Sequence, residues 1–564
     1  MANPPQPNRP ERVEADWRQS GGSDGQLRWL IEEQAGPSRG DATSYLRAAA
    51  HIDPYFRSRA IDELAVNRHR VPAPSFGFDL SAVLRECFAV RRRIASQAWA
   101  VLPALAVALI LSPTGVVLGV ALGLLASLLP SGGRLSTGKP GKGSMIATVA
   151  AAGIAAVLVL PSLFGMLGGF SGKALLAMLV VLVVTGITGY NLRLWTLRAL
   201  TGKRGRPGPG SQVSGRHAAL CDGLARKQSD RDVVYSSFGP FVGTGPRISE
   251  WSFAIELKPS AQHEADGRQP RPLSVPVIHA AIRNRLRDLG AGHEYPGDRL
   301  HRIDVQDYVF KPGVRPDSES AWLSGWERLA QTGTPRGEAG WPAEVDLAAN
   351  ERLRHFVVTR LGLWADEVVL TQFFRVSVQG GQLQVESQSF VLPPIAERFH
   401  AVDELVPPDS PGEQLAVAWY AVTHIGQVLT QSFAEPLRIA LTAWNMRSQE
   451  DWYRKMRQER RPIDHSPRLS VRELAASAAY AQPFQEMDVS RLTAMVERRV
   501  HTAVLDCLRD HGYALGEYEA RQDIQINNGI QISGGTVVGP MAAGRHARAA
   551  QTGKRNAGVT GETK

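Results

Sequence analysis

Cysteine is scarce in this sequence, with only Cys87, Cys221 and Cys507 in a chain of 564 residues. The three are far apart, and none stands in a Cys-x-x-Cys pair or in a Cys/His spacing of the kind that binds zinc. This pattern fits a reducing cytosol and argues against structural disulfides. From these residues we predict neither a metal site nor a cofactor.

Catalytic signatures are missing as well. The sequence has no nucleophile elbow between a strand and a helix, no kinase set and no His-Glu-x-x-His pair. The Gly-rich segment 238–245 lacks the Lys-Ser/Thr pair of a phosphate-binding loop, so we expect a turn between two strands there. Six of the histidines are considered as candidate ligands: His51, His279, His293, His301, His355 and His424. They are scattered along the chain, and we expect surface or core positions for them, not ligand roles.

Charge is absent from two long apolar stretches. No charged side chain lies between Arg93 and Arg134, and residues 145–192 contain only Lys173. About 20 apolar residues are enough to cross the hydrocarbon core of a bilayer. The two stretches therefore predict a membrane α-helical region, residues 94–192, in an integral membrane protein.

Each apolar stretch contains a break. Ser112 and Pro113 interrupt the first, because proline removes a helix donor and forces the preceding residue out of the helical region. Gly-rich residues 168–173 interrupt the second. A first hairpin that enters the bilayer without crossing it is an alternative. We predict two helical hairpins with four spans, at about 94–112, 114–130, 145–165 and 174–192.

Basic residues decide the predicted orientation. They precede the first stretch at 91–93, lie between the stretches at 134–142 and follow them at 193–206. Lys and Arg favour the cytoplasmic side, and four spans put all three groups there. We predict a multi-pass protein of the cytoplasmic membrane with both termini cytoplasmic. Attraction to anionic lipid accounts for much of the net charge of +10, so a nucleic-acid partner is not required.

The second predicted span carries a stripe of small residues. Gly115, Gly119, Gly123 and Ser127 recur every four residues, a spacing that lets helix backbones approach closely. The stripe predicts packing against another helix, either within the chain or in a homo-oligomer. No Asp, Glu, Arg or His lies inside the predicted spans, which argues against an ion-coupled transporter.

The chain after the spans predicts a cytosolic α+β domain, with strands first and helices later. Residues 251–257 alternate as in a half-buried strand, and Gly380-Gly381 separate two alternating runs as in a hairpin. Ser432 and Glu435 have the spacing of a capping box, which predicts a helix start. The predicted organisation is a disordered N-terminus at 1–40, a helical pre-membrane segment at 41–93, the transmembrane region at 94–192, a basic linker and helix at 193–229, the cytosolic α+β domain at 230–520, and a short β-strand tail with a disordered C-terminus at 521–564.

The C-terminal tail alternates apolar and polar residues. Ile524, Ile526, Ile530 and Ile532 are separated by a turn signal at 527–529. Strands this short are not stable alone, and free strand edges invite pairing with another chain. We predict that the tail mediates self-assembly or docks on a partner by strand addition. The alternatives are a strand that completes the chain's own sheet and a disordered tail.

Three segments carry a resemblance to a known group of proteins. They are AVNRHRVPAPSFGFDLSAVL at 65–84, VVYSSFGPFVGTG and WSFAIEL within 233–257, and INNGIQISGGTVVGPMAAG at 526–544. Together they resemble uncharacterised multi-pass membrane proteins of actinobacteria. The last segment alone resembles tails appended to otherwise different proteins there. The resemblance implies no activity and no functional residue.

These observations lead to three hypotheses about function. The first is a membrane-anchored cytosolic binding, scaffold or signalling protein, with the lipid bilayer as one partner. The second is an oligomeric pore-forming or membrane-disrupting effector. The third is a membrane-tethered enzyme whose site is assembled from residues distant in sequence. We favour the first, because the sequence singles out no catalytic, cofactor-binding or metal-binding residue.

Overall fold

The computed structural model of the chain describes residues 41–74, 76–126, 171–201, 215–228, 232–236, 239–291, 300, 303–313, 354–405, 407–459 and 461–528. The helices are α1 Asp41–Ile52, α2 Pro54–Ile61, α3 Leu80–Ser96, α4 Ala98–Leu111, α5 Pro113–Ala126, α6 Gly172–Thr201, α7 Arg216–Gln228, α8 Ala261–Ala265, α9 Val275–Ala291, α10 Glu397–His400, α11 Pro411–Thr423, α12 Ile425–Gln458, α13 Val471–Leu474, α14 Pro483–His511 and α15 Gly516–Asn528. The strands are β1 Asp232–Tyr235, β2 Arg247–Glu256, β3 Ile303–Pro312, β4 Arg354–Leu363, β5 Val368–Gln379 and β6 Gln382–Leu392. A π-helical turn, Asp62–Val66, continues α2.

The six strands form one mixed sheet in the order β1-β3-β4-β5-β6-β2. β1 pairs in parallel with β3, whereas the other neighbours are antiparallel. The predicted hairpin is confirmed, since β5 and β6 meet at Gly380-Gly381, and both glycines have positive φ. A Gly-Gly pair suits this turn because glycine adopts positive φ without a steric cost. The strand predicted at 251–257 is also present, as the second half of β2.

Helices α9 and α14 cover one face of the sheet. Ile278, Ile282 and Leu286 of α9 and Val496 and Val500 of α14 are fully buried against the inward side chains of the strands. Their spacing of three or four residues places them on one side of each helix. Each such side chain stabilises the fold by about 1.5–3 kcal/mol when it leaves water. This interface is therefore the main apolar core.

The opposite face of the sheet carries an aromatic cluster. Phe310, Phe356, Phe373 and Phe390 come from β3, β4, β5 and β6, and Phe241 from the loop before β2 inserts among them. The ring centroid of Phe241 lies 4.7 Å from that of Phe373 and 4.8 Å from that of Phe390. Aromatic contacts of this kind add about 0.5–1.5 kcal/mol per pair. The Gly-rich loop is thus fixed to the sheet by its own phenylalanine.

The pre-membrane helices share a core with the chain that follows the sheet. Leu46 of α1, Phe56 of α2 and Leu84 of α3 are buried in one cluster with Phe399 of α10 and Val471 of α13. The residues before the apolar helices therefore fold onto the residues after β6. They do not form a separate unit.

Two helices are long and apolar enough to cross a membrane, by length and composition. They are the run Leu80–Leu111, which comprises α3 and α4, and α6, whose helix extends beyond the predicted end at residue 192. Their most apolar windows are only 28% and 22% buried, so most of this apolar surface faces outward. α5 is apolar but shorter. The predicted span at 145–165 lies outside the described residues.

The break predicted at Ser112 and Pro113 is confirmed, because α4 ends at Leu111 and α5 begins at Pro113. Arg93, before α4, lies over the ring of Trp195 near the end of α6, whereas Gly115 lies against Ala174 near its start. The chain therefore runs antiparallel to α6 through α4 and then returns alongside α6 in α5. This is the helical hairpin that the sequence predicts for the first apolar stretch.

The glycine stripe of α5 is used within the chain. A Cβ at Gly119 would lie 3.3 Å from Cβ of Val181 in α6, and one at Gly123 would lie 2.6 Å from Cγ2 of Ile425 in α12. Gly115 also packs against α6. The small residues thus let α5 approach α6 and α12 closely. A homo-oligomer through Gly115, Gly119 and Gly123 stays a prediction, because one chain does not test it.

Two sequence predictions about local structure are wrong. Ser432 and Glu435 do not begin a helix, since α12 starts at Ile425 and both residues are buried in its interior. The tail strands proposed at Ile524 and Ile526 are absent, because α15 runs through both positions. Alternation over so few residues does not separate a strand from a helix, and here the helical pattern starting at Gly516 prevails. Ile530 and Ile532 lie outside the described residues.

The substitution Gly115→Ala tests the packing of α5 on α6. The added Cβ would meet the carbonyl oxygen of Ala174 and lie 2.9 Å from Cβ of Ala177, so the helices must separate. We expect a loss of about 1–3 kcal/mol in stability, measured as a lower Tm of the detergent-solubilised protein. Gly186→Ala in α6 is the control, because a Cβ there meets nothing within 4 Å. Equal Tm values for the two variants would contradict this packing.

Candidate functional site

A buried carboxylate lies where the apolar helices meet the rest of the protein. Glu435 of α12 lies 3.9 Å from the guanidinium of Arg57, 3.7 Å from that of Arg91 and 2.7 Å from that of Arg438. The side chains of Glu435 and Arg57 are only 3% exposed. Arg91 belongs to α3, which leads directly into α4. The carboxylate therefore joins three parts of the chain: α2, the first apolar run and α12.

Burial restricts both Arg57 and Arg91, and Arg57 has a further hydrogen-bond partner. Arg57 also donates from Nη1 to the carbonyl of Ala50 at 2.8 Å. Burial lowers the pKa of Arg57, and the charge of Glu435 opposes that shift. A buried cation and a buried anion each cost free energy when alone, so the two depend on each other. We call Glu435, Arg57 and Arg91 the ionic junction.

A second buried carboxylate reinforces the same region. Glu86 of α3 lies 2.9 Å from Nε2 of His51 and 3.0 Å from Nη2 of Arg47, both on α1. The centroid of the His51 ring is 5.2 Å from that of Trp195 on α6. The guanidinium carbon of Arg93 also lies over the Trp195 ring, 5.9 Å from its centroid. This network connects α1, α3 and α6. The start of the first apolar run and the end of α6 are thereby held to the pre-membrane helices.

A row of polar side chains crosses the sheet beneath α14. Ser249, Ser389, Gln372 and Thr359 occupy directly paired positions on β2, β6, β5 and β4. The last three are fully buried, and Nε2 of Gln372 donates to Oγ of Ser389 at 3.1 Å. Oγ1 of Thr359 and Oε1 of Gln372 have no partner among the described residues. Unpaired buried polar atoms are costly, so this row is unusual in an otherwise apolar core.

Glu497 of α14 faces this polar row. Burial raises the pKa of its carboxyl group to about 7, although the nearby polar groups of Trp251, Ser389 and Ser249 oppose the shift. His501, one turn further along α14, stacks on Trp251 with ring centroids 4.7 Å apart, and burial lowers its pKa to about 4. A carboxyl group that holds a proton near neutral pH is suited to proton transfer. Here the side chain is partly buried between α14 and the sheet.

Another charged group lies under α9 on the same face of the sheet. Oδ1 of Asp307 accepts a hydrogen bond from Nη2 of Arg283 at 3.2 Å and lies 3.1 Å from Nε2 of His355. The ring of His279 lies 4.5 Å from that of His355, edge to face. Burial lowers the pKa of His279 well below its usual value, and His355 adds to that effect. The group is neutralised within the core, which indicates a structural role in holding α9 to β3 and β4.

The Gly-rich loop at 239–245 binds a carboxylate of the chain itself. The backbone N–H groups of Gly243 and Gly245 donate to Oε1 of Glu473 at 2.9 and 3.0 Å. Both glycines have positive φ, which directs successive N–H groups toward one point. Burial raises the pKa of Glu473, and the two backbone donors oppose it. The loop is thus a strand-connecting turn, as predicted, whose anion position is filled by Glu473.

The sequence predictions for single residues have mixed outcomes. His279 and His355 are core residues, and the side chain of His51 is only 1% exposed, within the expectation of surface or core positions. The proximity of His279 and His355 was not foreseen. His424 is half-buried against Tyr420, whereas His293 and His301 lie outside the described residues. The polar row was missed. A signal was present in β5, because the polar Gln372 alternates with Leu370 and Phe374, which point into the core.

A comparison with known proteins identifies one match. A family model, described as AbeC-like domain, matches residues 250–538, slightly more than half of the chain. The match begins in β2, one residue after Ser249, and includes the other three residues of the polar row, Glu497 and the whole of α12. It excludes the apolar run Leu80–Leu111 and α6. Neither a curated protein nor a solved structure matches the chain.

The substitution Glu435→Gln tests the ionic junction. It removes the buried carboxylate that Arg57 and Arg91 share, and we expect a loss of about 3–5 kcal/mol in the free energy of unfolding. Glu450→Gln is the matched control on the same helix, because its pair with Arg68 is largely exposed. That control should cost under about 1 kcal/mol. Thermal unfolding that is equally affected by both changes would refute the junction's role.

The substitution Glu497→Gln tests protonation in the polar row. The folded-state pKa of about 7 exceeds the ordinary value of 4.5, so the native state binds the proton more tightly than the unfolded state. Glu497 therefore disfavours folding increasingly as the pH rises from about 4.5 to about 7, by up to about 3 kcal/mol in all. We expect the variant to be more stable than the natural protein at pH 8 and similar at pH 4.5. A Tm difference that stays constant across this range would contradict the assignment.

Proposed function

We propose a function on the premise that the chain belongs to the AbeC-like domain family. It is a membrane-anchored protein that holds this domain at the inner face of the cytoplasmic membrane. It acts by binding, as a scaffold or a signalling protein. The ionic junction is the observation that carries this proposal, because it ties the family domain to the first apolar run.

The exposure of the apolar helices supports the membrane anchor. Trp99, Ile110 and Val117 on α4 and α5, and Leu179 and Ile187 on α6, are all at least half exposed. Large apolar surfaces of this kind are rare on monomers surrounded by water, whereas lipid covers them without cost. A core helix of a soluble protein would bury these side chains. The outward surface therefore favours lipid as the partner of these helices.

The buried contacts at the junction support a role that depends on coupling. α12 belongs to the family domain, yet its Ile425, Val428 and Leu429 pack against Val101 and Val181 of the apolar helices. The family domain is thus fixed to the anchor by apolar contacts as well as by Glu435. A scaffold needs a fixed orientation relative to the membrane, and a signalling protein needs a mechanical connection. Such a junction supplies both.

The topology in this proposal is the one that the charge pattern predicts. It has four spans with both termini in the cytoplasm, and the third is the span predicted at about 145–165, which lies outside the described residues. The resemblance to multi-pass membrane proteins of actinobacteria is part of the same proposal. Self-assembly through the glycine stripe or through the tail at Ile530 and Ile532 is a further part of it. The pore-forming effector is the alternative that the test must separate.

The location of two chain positions tests the proposal. Reporters active only inside or only outside the cell are fused after Ser144 and, separately, after Lys564 of the full chain. We expect both positions to report inside, and the protein to stay in the membrane fraction after an alkaline wash. Activity of the outside reporter at Lys564 would place the family domain outside the cell and reject the cytosolic role. Release by the alkaline wash would reject the anchor, and loss of membrane potential on expression would favour the pore-forming effector.

A further inference from the structure

Helix α12 carries an apolar stripe that nothing in the described part of the chain covers. The stripe consists of Phe433, Leu437, Leu441 and Trp444, which are exposed by 58%, 60%, 45% and 66%. Their spacing of four, four and three residues places them on one side of the helix, within about 80° of arc. Side chains of this size normally leave water when a surface is available to them. The stripe therefore requires an occupant.

The opposite side of the same helix segment is already in use. Glu435 points to the ionic junction, and Ser432 is buried and donates to the carbonyl of Val428 at 2.7 Å. The stripe consequently faces away from α2 and α3. No charged residue between Thr430 and Ser448 lies within its arc, since Arg438 and Arg447 are placed to either side. The segment is amphipathic, with one side for the protein and one side open.

The stripe continues the apolar surface of the membrane anchor. The first turns of α12 pack against α5 and α6: Ile425 lies against Gly123, and Val428 lies against Gly189. Gly123 is near the C-terminal end of α5, which four spans place at the inner membrane surface. From this point α12 runs away from the bundle as one helix to Gln458. Phe433 follows the buried turns by only four residues, so the stripe starts where the anchor ends.

Charge along α12 identifies the occupant. Arg438 and Arg447 flank the stripe, and Arg454, Lys455 and Arg457 follow it, against the acidic Glu435, Glu450 and Asp451 of the same helix. Arg438 pairs with Glu435 and Arg454 pairs with Asp451, so the helix from Phe433 to Gln458 keeps an excess of positive charge. Basic residues beside an apolar face containing Trp and Phe are typical of helices that lie in the plane of a membrane surface. Anionic head groups attract such residues, and tryptophan prefers the level of the head groups. A second copy docked along the same stripe would bring this excess of positive charge against itself.

We propose that α12 lies along the inner surface of the bilayer, with Phe433, Leu437, Leu441 and Trp444 inserted among anionic lipids. This inference rests on the proposed membrane anchor and adds a second lipid contact within the family domain. Because Glu435 lies on the back of the same helix segment, the lipid contact and the ionic junction share one rigid element. The position of α12 on the membrane thereby fixes the orientation of the sheet.

Spin labels at three positions of the full chain test this inference. Leu441→Cys reports the stripe, Asn445→Cys reports an exposed position about 40° beyond the edge of the stripe, and Leu179→Cys reports the outward face of α6. Each variant carries a nitroxide, and the buried Cys87, Cys221 and Cys507 are replaced by alanine. The proteins are reconstituted in vesicles of phosphatidylcholine with phosphatidylglycerol. Collision with oxygen, which concentrates in lipid, is compared with collision with a water-soluble nickel complex.

We expect the oxygen-to-nickel ratio to be several-fold higher at Leu441 than at Asn445, and high at Leu179. A high ratio at Leu179 with equal, low ratios at Leu441 and Asn445 would overturn the inference and leave the anchor standing. A low ratio at Leu179 would instead reject the anchor itself. Dipolar broadening at Leu441 that disappears on dilution with unlabelled protein would assign the stripe to a second copy and also overturn the inference. Vesicles without phosphatidylglycerol should lower the ratio at Leu441 alone.

Discussion

The buried carboxylate of Glu435 is the constraint on which the arrangement of this protein depends. It lies among arginines from α2, α3 and α12; Arg57 and Arg91 are buried with it, whereas Arg438 is about half exposed. A buried charge of either sign is costly without an opposite charge beside it. An ion pair of this kind adds little net stability compared with apolar packing, but it permits only one arrangement of the helices. The position of the apolar run relative to the family domain is therefore set by charge pairing.

The apolar contacts around this junction supply the stability that the ion pairs do not. Ile425, Val428 and Leu429 pack among the apolar helices, and the close approach is allowed by Gly123 and Gly189. On the other side of the junction, α1 to α3 share a core with Phe399 and other residues that follow the sheet. Segments before the sheet therefore pack against segments after it at two places: α1 to α3 against the residues that follow β6, and the apolar helices against α12. These contacts hold the apolar helices and the family domain in one arrangement.

The buried polar features of the sheet domain are concentrated on one face of the sheet. The polar row, Glu497 and the Asp307 group all lie on the face covered by α9 and α14, whereas the opposite face holds Phe241 in an aromatic cluster. Buried polar groups of this kind reduce stability unless each one is paired, and several here are not. Their concentration in one row under α14 marks the part of the domain that differs most from a plain structural core.

The sequence by itself determined the features that depend on neighbouring residues. The charge-free runs, the break at Pro113 and the Gly380-Gly381 turn follow from short-range periodicity and from the backbone limits of proline and glycine. Only the tertiary structure decided the roles of Glu435, of Glu497 and of the His279–His355 pair, because their partners are distant in sequence. The capping-box spacing at Glu435 wrongly predicted a helix start, and the short alternation at Ile524 wrongly predicted a strand. Both patterns are compatible with more than one structure. Contacts between residues distant in sequence decide between such alternative local structures, and the local sequence pattern does not contain those contacts.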